Sequence, residues 1–212
     1  MANNIQIPFM TTEKFETDAK PNFLKVFNLP CPLIAPFTSL MASRMVAYCQ
    51  IYLDAELLDP IVEVASHIGE NGFYFSFVED CNYEIWYPGL SGKGSNPRTW
   101  FIPFSNLRFY KEQTFLTSHV LYSSQGKWGA YISYEDFMVL GGVPEVVSGI
   151  KKRITKVDAL TSEFLEDQKN KFLFGIASLE WIPKLLNHIY DSDETKRLLR
   201  EHSMTNLVRP TS

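Results

Sequence analysis

The chain is short of the residues from which most site chemistry is built. Its three cysteines, Cys31, Cys49 and Cys81, are odd in number and form no CxxC pair. That excludes a disulfide framework and the usual structural zinc spacing, and it reads as a reducing, cytoplasmic setting. Its four histidines, His67, His119, His188 and His202, share no HxH, HxxxH or HExxH spacing, so no two sit on one helical turn for a metal. No cofactor or metal is expected. GxSxG is missing, and Cys81 lies beside Glu79 and Asp80, whose charge suppresses the thiolate a nucleophile needs.

Long apolar runs are missing too. Nowhere do about 18 apolar residues follow one another, and the opening stretch MANNIQIPFMTTEKFETDAK has no basic segment leading into an apolar one, so neither a membrane span nor a secretion signal is expected. An excess of positive charge is also lacking: 20 Lys and Arg against 24 Asp and Glu leave a formal charge of −4, which offers a polyanion no global attraction. The basic group Lys151-Lys152-Arg153 with Lys156 reads as the solvated face of a helix opposite Ile150 and Ile154, so nucleic acid is not an expected partner. The loop Gly89-Leu90-Ser91-Gly92-Lys93-Gly94-Ser95 has glycines beside a lysine. A phosphate-binding P-loop needs four residues between its first glycine and the Gly-Lys pair, and a helix directly after; here two residues intervene and Asn96-Pro97 follows.

What is present is enough for a core. The chain has 212 residues, 45% of them hydrophobic, which at about 150 residues per domain gives a single globular domain over 1–212, with 1–22 and 203–212 loosely ordered. The prolines at 30, 32 and 36 make an irregular apolar strap. Leu40, Met41, Met45, Val46, Cys49 and Tyr52 recur at helical spacing, predicting a helix over Thr38–Leu53 with Cys49 as a core thiol. Asp59 as cap, Pro60 at the first helical position and Gly69 as terminator predict a second helix. Phe73, Phe75 and Phe77 then alternate with Tyr74, Ser76 and Val78, which is strand periodicity.

Strand texture continues through Tyr83–Tyr87, Thr99–Phe104, Leu107–Tyr110, Val120–Ser123 and Gly129–Ser133, with Ser124-Gln125-Gly126-Lys127 as a hairpin turn. Residues 134–142 read as a structured loop ending in a glycine turn. Pro144 opens a helix through Val146, Val147 and Ile150, and others follow through Leu160–Leu165, Leu179–Ile189 and, capped by Ser192, Leu198–Leu199. Connections this short cannot carry parallel crossovers. The expected fold is therefore α+β: an antiparallel meander of about five strands in the middle of the chain, with helices before and after it.

The strongest signal is aromatic density, with twelve of the thirty aromatic residues between positions 73 and 110. Alternation sends some of these rings to each sheet face, and helices on one face alone would leave Tyr and Trp on the other. Such a face suits binding to another macromolecule, since these side chains give large rigid contact area with a polar handle. The expectation is a non-enzymatic cytoplasmic protein-binding domain, an adaptor or an immunity-like inhibitor. Trp86, Tyr87, Trp100 and Phe101 would be its anchors and Arg98 a rim contact. Glu79, Asp80 and Glu84 would complement a basic protein partner. The alternative is an enzyme or small-molecule sensor with a pocket between the sheet and the C-terminal helices, His119 acting with Glu84 or Asp80.

Overall fold

The structure, a computed structural model, describes residues 7–28, 34–50, 53–81, 84–86, 98–112 and 117–207. An extended N-terminal stretch leads into α1 (Thr12–Lys14), capped by the Thr11 hydroxyl on the Lys14 N–H, a π-helical turn at Phe15–Ala19 and α2 (Lys20–Val26). Then come β1 (Ser43–Tyr48), α3 (Ala55–His67), β2 (Gly72–Phe77), β3 (Glu79–Cys81), β4 (Glu84–Trp86) and β5 (Thr99–Pro103). After α4 (Leu107–Lys111) the chain forms β6 (His119–Ser123), β7 (Trp128–Ser133) and β8 (Phe137–Gly142), and it closes with α5 (Pro144–Lys151), α6 (Val157–Leu173), α7 (Ile182–Ile189) and α8 (Ser192–Glu201).

Six strands form one antiparallel sheet in the order β1-β8-β7-β6-β2-β5, and β3 pairs with β4 as a separate hairpin. The α+β class and the central antiparallel sheet flanked by helices are as the sequence predicts. Both faces of the sheet are buried. Tyr74, Tyr122, Tyr131 and Val139 face a core closed by α2, α6, α7 and α8, while Phe73, Phe75, Leu121 and Met138 face a second core closed by α3, α4 and α5. The strict alternation read in β2 is therefore an alternation between two cores, each ring contributing about 1.5–3 kcal/mol on burial.

The double cover explains a correction. Residues 43–48, expected inside a helix, are strand β1, paired with β8 from Ser43↔Gly142 to Tyr48↔Phe137. Met45 and Ala47 enter one core and Val46 the other, so no polar position marks the strand period from 45 to 47 and this short apolar run reads equally well as helix. Leu107–Tyr110, expected as a strand, belongs to α4. Residues 137–142, expected as part of a loop, are strand β8.

Helix ends follow local chemistry. α3 starts earlier than expected, where the Asp54 carboxylate accepts from the Leu57 N–H, and Pro60 lies inside the helix at the cost of one backbone bond near its first turn. It stops as expected at Gly69, whose φ of +86° lets the Gly69 and Glu70 N–H groups bond the Ser66 and Ala65 carbonyls at 3.0 Å each. Pro144 opens α5 as predicted. The cap of α8 is Asp191, one residue before the expected Ser192, its carboxylate accepting from the Asp193 and Glu194 N–H groups.

The two sheet edges are treated differently. On β1 the Arg44 carbonyl accepts from Lys151 Nζ at 2.9 Å and the Val46 carbonyl from Thr161 Oγ1 at 2.8 Å, while the Val46 backbone also bonds the Tyr190 hydroxyl. Side chains of α5 and α6, with Tyr190 at the end of α7, thus occupy backbone groups of Arg44 and Val46 with which another strand would pair. On β5, among the described residues, the backbone of the extended N-terminal stretch bonds the edge from the Met10 N–H to the Thr99 carbonyl at 2.8 Å.

Candidate functional site

Of the sequence-predicted site residues, Trp100, Phe101 and Arg98 lie along β5 and part across the sheet. Trp100, expected as an exposed anchor, is only 6% exposed. Its indole stacks on Phe75 with centroids 4.9 Å apart and on Phe9 at 4.1 Å, because its register partner Phe75 points into the same core. Phe101 points the other way, half-buried, with its ring edge-on to Tyr74 at 5.5 Å. It lies across the backbone of β2 at Gly72, where an added Cβ would stand 2.6 Å from Phe101 Cζ. Arg98 is exposed at the start of β5, its carbonyl accepting from the Phe77 N–H at 3.3 Å. Glu79, Asp80, Glu84 and Trp86 belong to the β3–β4 hairpin, with Glu79 opposite Trp86 and Asp80 opposite Ile85. Tyr87 and the glycine loop 89–95 lie outside the described residues.

Phe101 lines a groove of about 470 Å³ together with Tyr74, the N-terminal stretch from Ile7 to Thr11, and Lys14 and Asp18. Phe9, 50% exposed, forms the outer lip. The wall is mostly apolar, with Lys14, Asp18, Thr11 and Tyr74 supplying its polar side-chain groups, and the Asp18 carboxylate belongs to the π-helical turn. That wide turn sets Phe15 and Ala19 inward while Asp18 faces out. Sequence reasoning found Phe101 through its place in an aromatic strand. It missed Ile7, Phe9 and Met10, whose stretch reads as polar and broken until it is seen against β5.

A second exposed apolar group was missed. At the end of α6, Leu173, Phe174 and Ile176 are 61%, 79% and 73% exposed. Gly175, at φ +71°, ends the helix there, with the Ile176 N–H bonding the Lys171 carbonyl at 2.8 Å. The signal available in the sequence is an apolar run crossing a glycine at a helix end.

His119, expected as the acid–base residue of the alternative reading, is fully buried. Its Nε2 lies 3.1 Å from the Tyr110 hydroxyl and its ring meets Phe75 edge-on at 5.4 Å. Burial pulls its pKa down to about 3, against the backbone of Thr117. General acid–base work requires hydrogen-bond reach of a substrate, directly or through one water, and in this fold the His119 ring is enclosed by the core. Cys49 is also buried, and burial pushes its thiol well up, away from nucleophilic use. Among the described residues, no group of three or more His, Cys, Asp or Glu is set to hold a metal ion, and no helix is long and apolar enough to cross a membrane.

His188 is the second depressed histidine. Its Nε2 accepts from the Phe37 N–H at 3.3 Å, and the Arg44 guanidinium, 3.4 Å from Nδ1, also donates to the His188 carbonyl. Burial first, and the Arg44 charge second, bring its pKa down to about 4. Both histidines fold neutral. Their contribution is fully present above the unfolded value of about 6.5 and is lost as pH falls from there towards 4 and 3. The urea midpoint is expected to drop as pH is lowered from 7 to 4.5, and His188→Gln, which keeps an acceptor and cannot charge, is expected to flatten part of that slope. An unchanged slope in the variant would show that His188 does not titrate in the fold.

No protein-family model, no curated protein and no solved structure matches the chain.

Proposed function

We propose that the protein is a non-enzymatic cytoplasmic protein-binding domain, an adaptor or an immunity-like inhibitor, working through the β5 edge of its sheet. The observation that carries this reading is the apolar groove of about 470 Å³ between Phe101, Tyr74 and the stretch Ile7–Thr11. The broad aromatic face expected from the sequence gives way to this narrower edge, because the described sheet rings fill two cores. The acidic residues Glu79, Asp80 and Glu84 of the hairpin that follows β2 would favour a basic partner, steering its approach more than holding it.

The test is native mass spectrometry of the protein purified gently from its own cells, followed by hydrogen-exchange mapping of any stoichiometric partner. Protection is expected over 7–11 and 98–101. Phe101→Ser is expected to weaken capture at least tenfold, in line with loss of one anchoring side chain. Lys14→Glu, at an exposed position on the groove wall, should strengthen capture of a basic partner without touching the fold. A footprint over Leu173–Ile176 instead would move the docking site to the end of α6.

A small-molecule sensor is the second reading, favoured by a cavity of about 510 Å³ between β1, α5 and α6. Lys151, Lys152, Ser148, Asp158 and Tyr190 line it, and the half-buried Lys151 ammonium donates to the Arg44 carbonyl and feels the Asp158 charge. The same mass spectrum discriminates, since a retained small molecule, lost in Lys151→Ala, would carry this reading.

A further inference from the structure

We infer that the β5 edge receives an extended segment of the partner protein as an added strand, an inference that rests on the protein-binding reading and specifies its chemistry. In an antiparallel pair, residues that bond across alternate with residues whose N–H and C=O point away. The Phe77 N–H bonds the Arg98 carbonyl at 3.3 Å and the Phe104 N–H bonds the Asn71 carbonyl at 2.8 Å. With β2 and β5 in register from Gly72↔Pro103 to Ser76↔Thr99, Trp100 and Ile102 bond inward, and Thr99, Phe101 and Pro103 point their backbone groups outward. The Met10 bond to the Thr99 carbonyl is the direct sign of this phase.

That bond also shows what the edge accepts, since the molecule already seats an extended stretch of its own chain there. It stops one step short. Among the described residues, no bond reaches the outward N–H and C=O of Phe101, the next position along the strand. On β1 the outward carbonyls of Arg44 and Val46 and the Val46 backbone are bonded by Lys151, Thr161 and Tyr190. A sheet with one edge held by side chains and the other, among the described residues, unbonded outward at Phe101 beside a mostly apolar groove fits strand addition, in which backbone bonds give affinity and a pocket for alternate side chains gives specificity. The occupant is therefore an extended polypeptide. Its backbone pairs with Phe101, continuing to the Pro103 carbonyl, and it sets an apolar side chain between Tyr74, Phe101 and Met10. Pro103 offers no N–H and limits the added strand on that side.

The experiment selects twelve-residue peptides from a displayed library on the full chain, then scans the tightest one with single N-methyl amides while the exchange of the Phe101 amide is followed by NMR. The expected result is a period of two in the scan: methylation at alternate peptide amides weakens binding at least tenfold and at the intervening ones hardly at all. The Phe101 amide should slow at least a hundredfold on binding. A peptide that binds, shifts the Phe101 ring and tolerates every N-methyl group would overturn strand addition while leaving a protein-binding groove intact. Selection of no peptide would also overturn it, with the native complex still deciding the broader reading. Protection of Phe101 that rises with the protein's own concentration would assign the edge to a second copy and overturn the partner segment.

Discussion

Gly141→Val is expected to cost about 3 kcal/mol or more of folding stability, at the upper end of what overpacking a filled core costs. Gly141 faces Gly129 directly across the β7–β8 ladder, and the pair makes a flat patch in the middle of the sheet. Phe37 lies against one glycine, where an added Cβ would stand 2.6 Å from two of its ring carbons. Val26 and Phe27 lie against the other, at 2.5 and 2.7 Å. These neighbours cannot step aside cheaply, because Phe37 and Phe27 stack at 5.5 Å and Phe27 meets Tyr122 edge-on. The sequence pattern invites a different account of Gly141, a turn that needs positive φ. The strand shows the cause to be close approach, since neither Gly141 nor Gly142 has a positive φ.

The sign is what makes this informative. Alanine in place of glycine within a strand ordinarily helps a little, because it loses less backbone freedom on folding. Gly141→Ala should instead lose about 1–3 kcal/mol by urea denaturation. Gly69→Ala gives a reference, since its added Cβ meets nothing within 4 Å and only the φ of +86° is strained, costing about 1–2 kcal/mol. Combined with Phe37→Leu, Gly141→Ala should cost less than the two changes separately, because the smaller side chain makes room. A Gly141→Ala variant as stable as the parent would show that the Phe37 ring does not press on the strand.

What the sequence made legible divides along the range of the interactions. The glycine end of α3, the proline start of α5 and the β6–β7 turn at Gly126 are local chemistry, and each reads off a few residues. β1 was misread because its apolar residues serve two cores, and that fact belongs to the helices on either side of the sheet. α4 was misread because aromatic texture resembles a strand; its Tyr110 is buried against His119 from a helix. The candidate site was half legible. Phe101 announced itself as an aromatic in a strand, but the lip that turns it into a groove comes from Ile7 to Thr11, distant in sequence and weak in pattern. Trp100 went the other way for the same reason: next to Phe101 in sequence, it lies on the opposite face, where Phe9 and Phe75 enclose it.

Glu70→Ala should cost about 2–4 kcal/mol, because it strands two buried donors at once. Glu70 is 6% exposed and sits just past the glycine end of α3. Its carboxylate accepts from Trp128 Nε1 at 3.1 Å and from the Ser123 hydroxyl. Ser123 Oγ in turn accepts from the Gln125 and Lys127 N–H groups at 3.0 Å each, so one carboxylate braces the β6–β7 hairpin and the fully buried Trp128. Glu70→Gln keeps an acceptor for one donor and should lose about half as much. Burial raises the pKa of Glu70, while the bonds from Ser123, Trp128 and Gln125 and the charge of Lys127 oppose it. A folded value above the unfolded one means that this contribution is fully present below the unfolded value and is lost as pH rises through the folded one. The stability gap between the parent and Glu70→Gln should therefore widen as pH is lowered from 7 towards the carboxylate range, opposite in sign to the His188 effect. A gap that stays constant or narrows would mean that Glu70 holds its charge in the fold as readily as in the unfolded chain, and that its hydrogen bonds outweigh its burial.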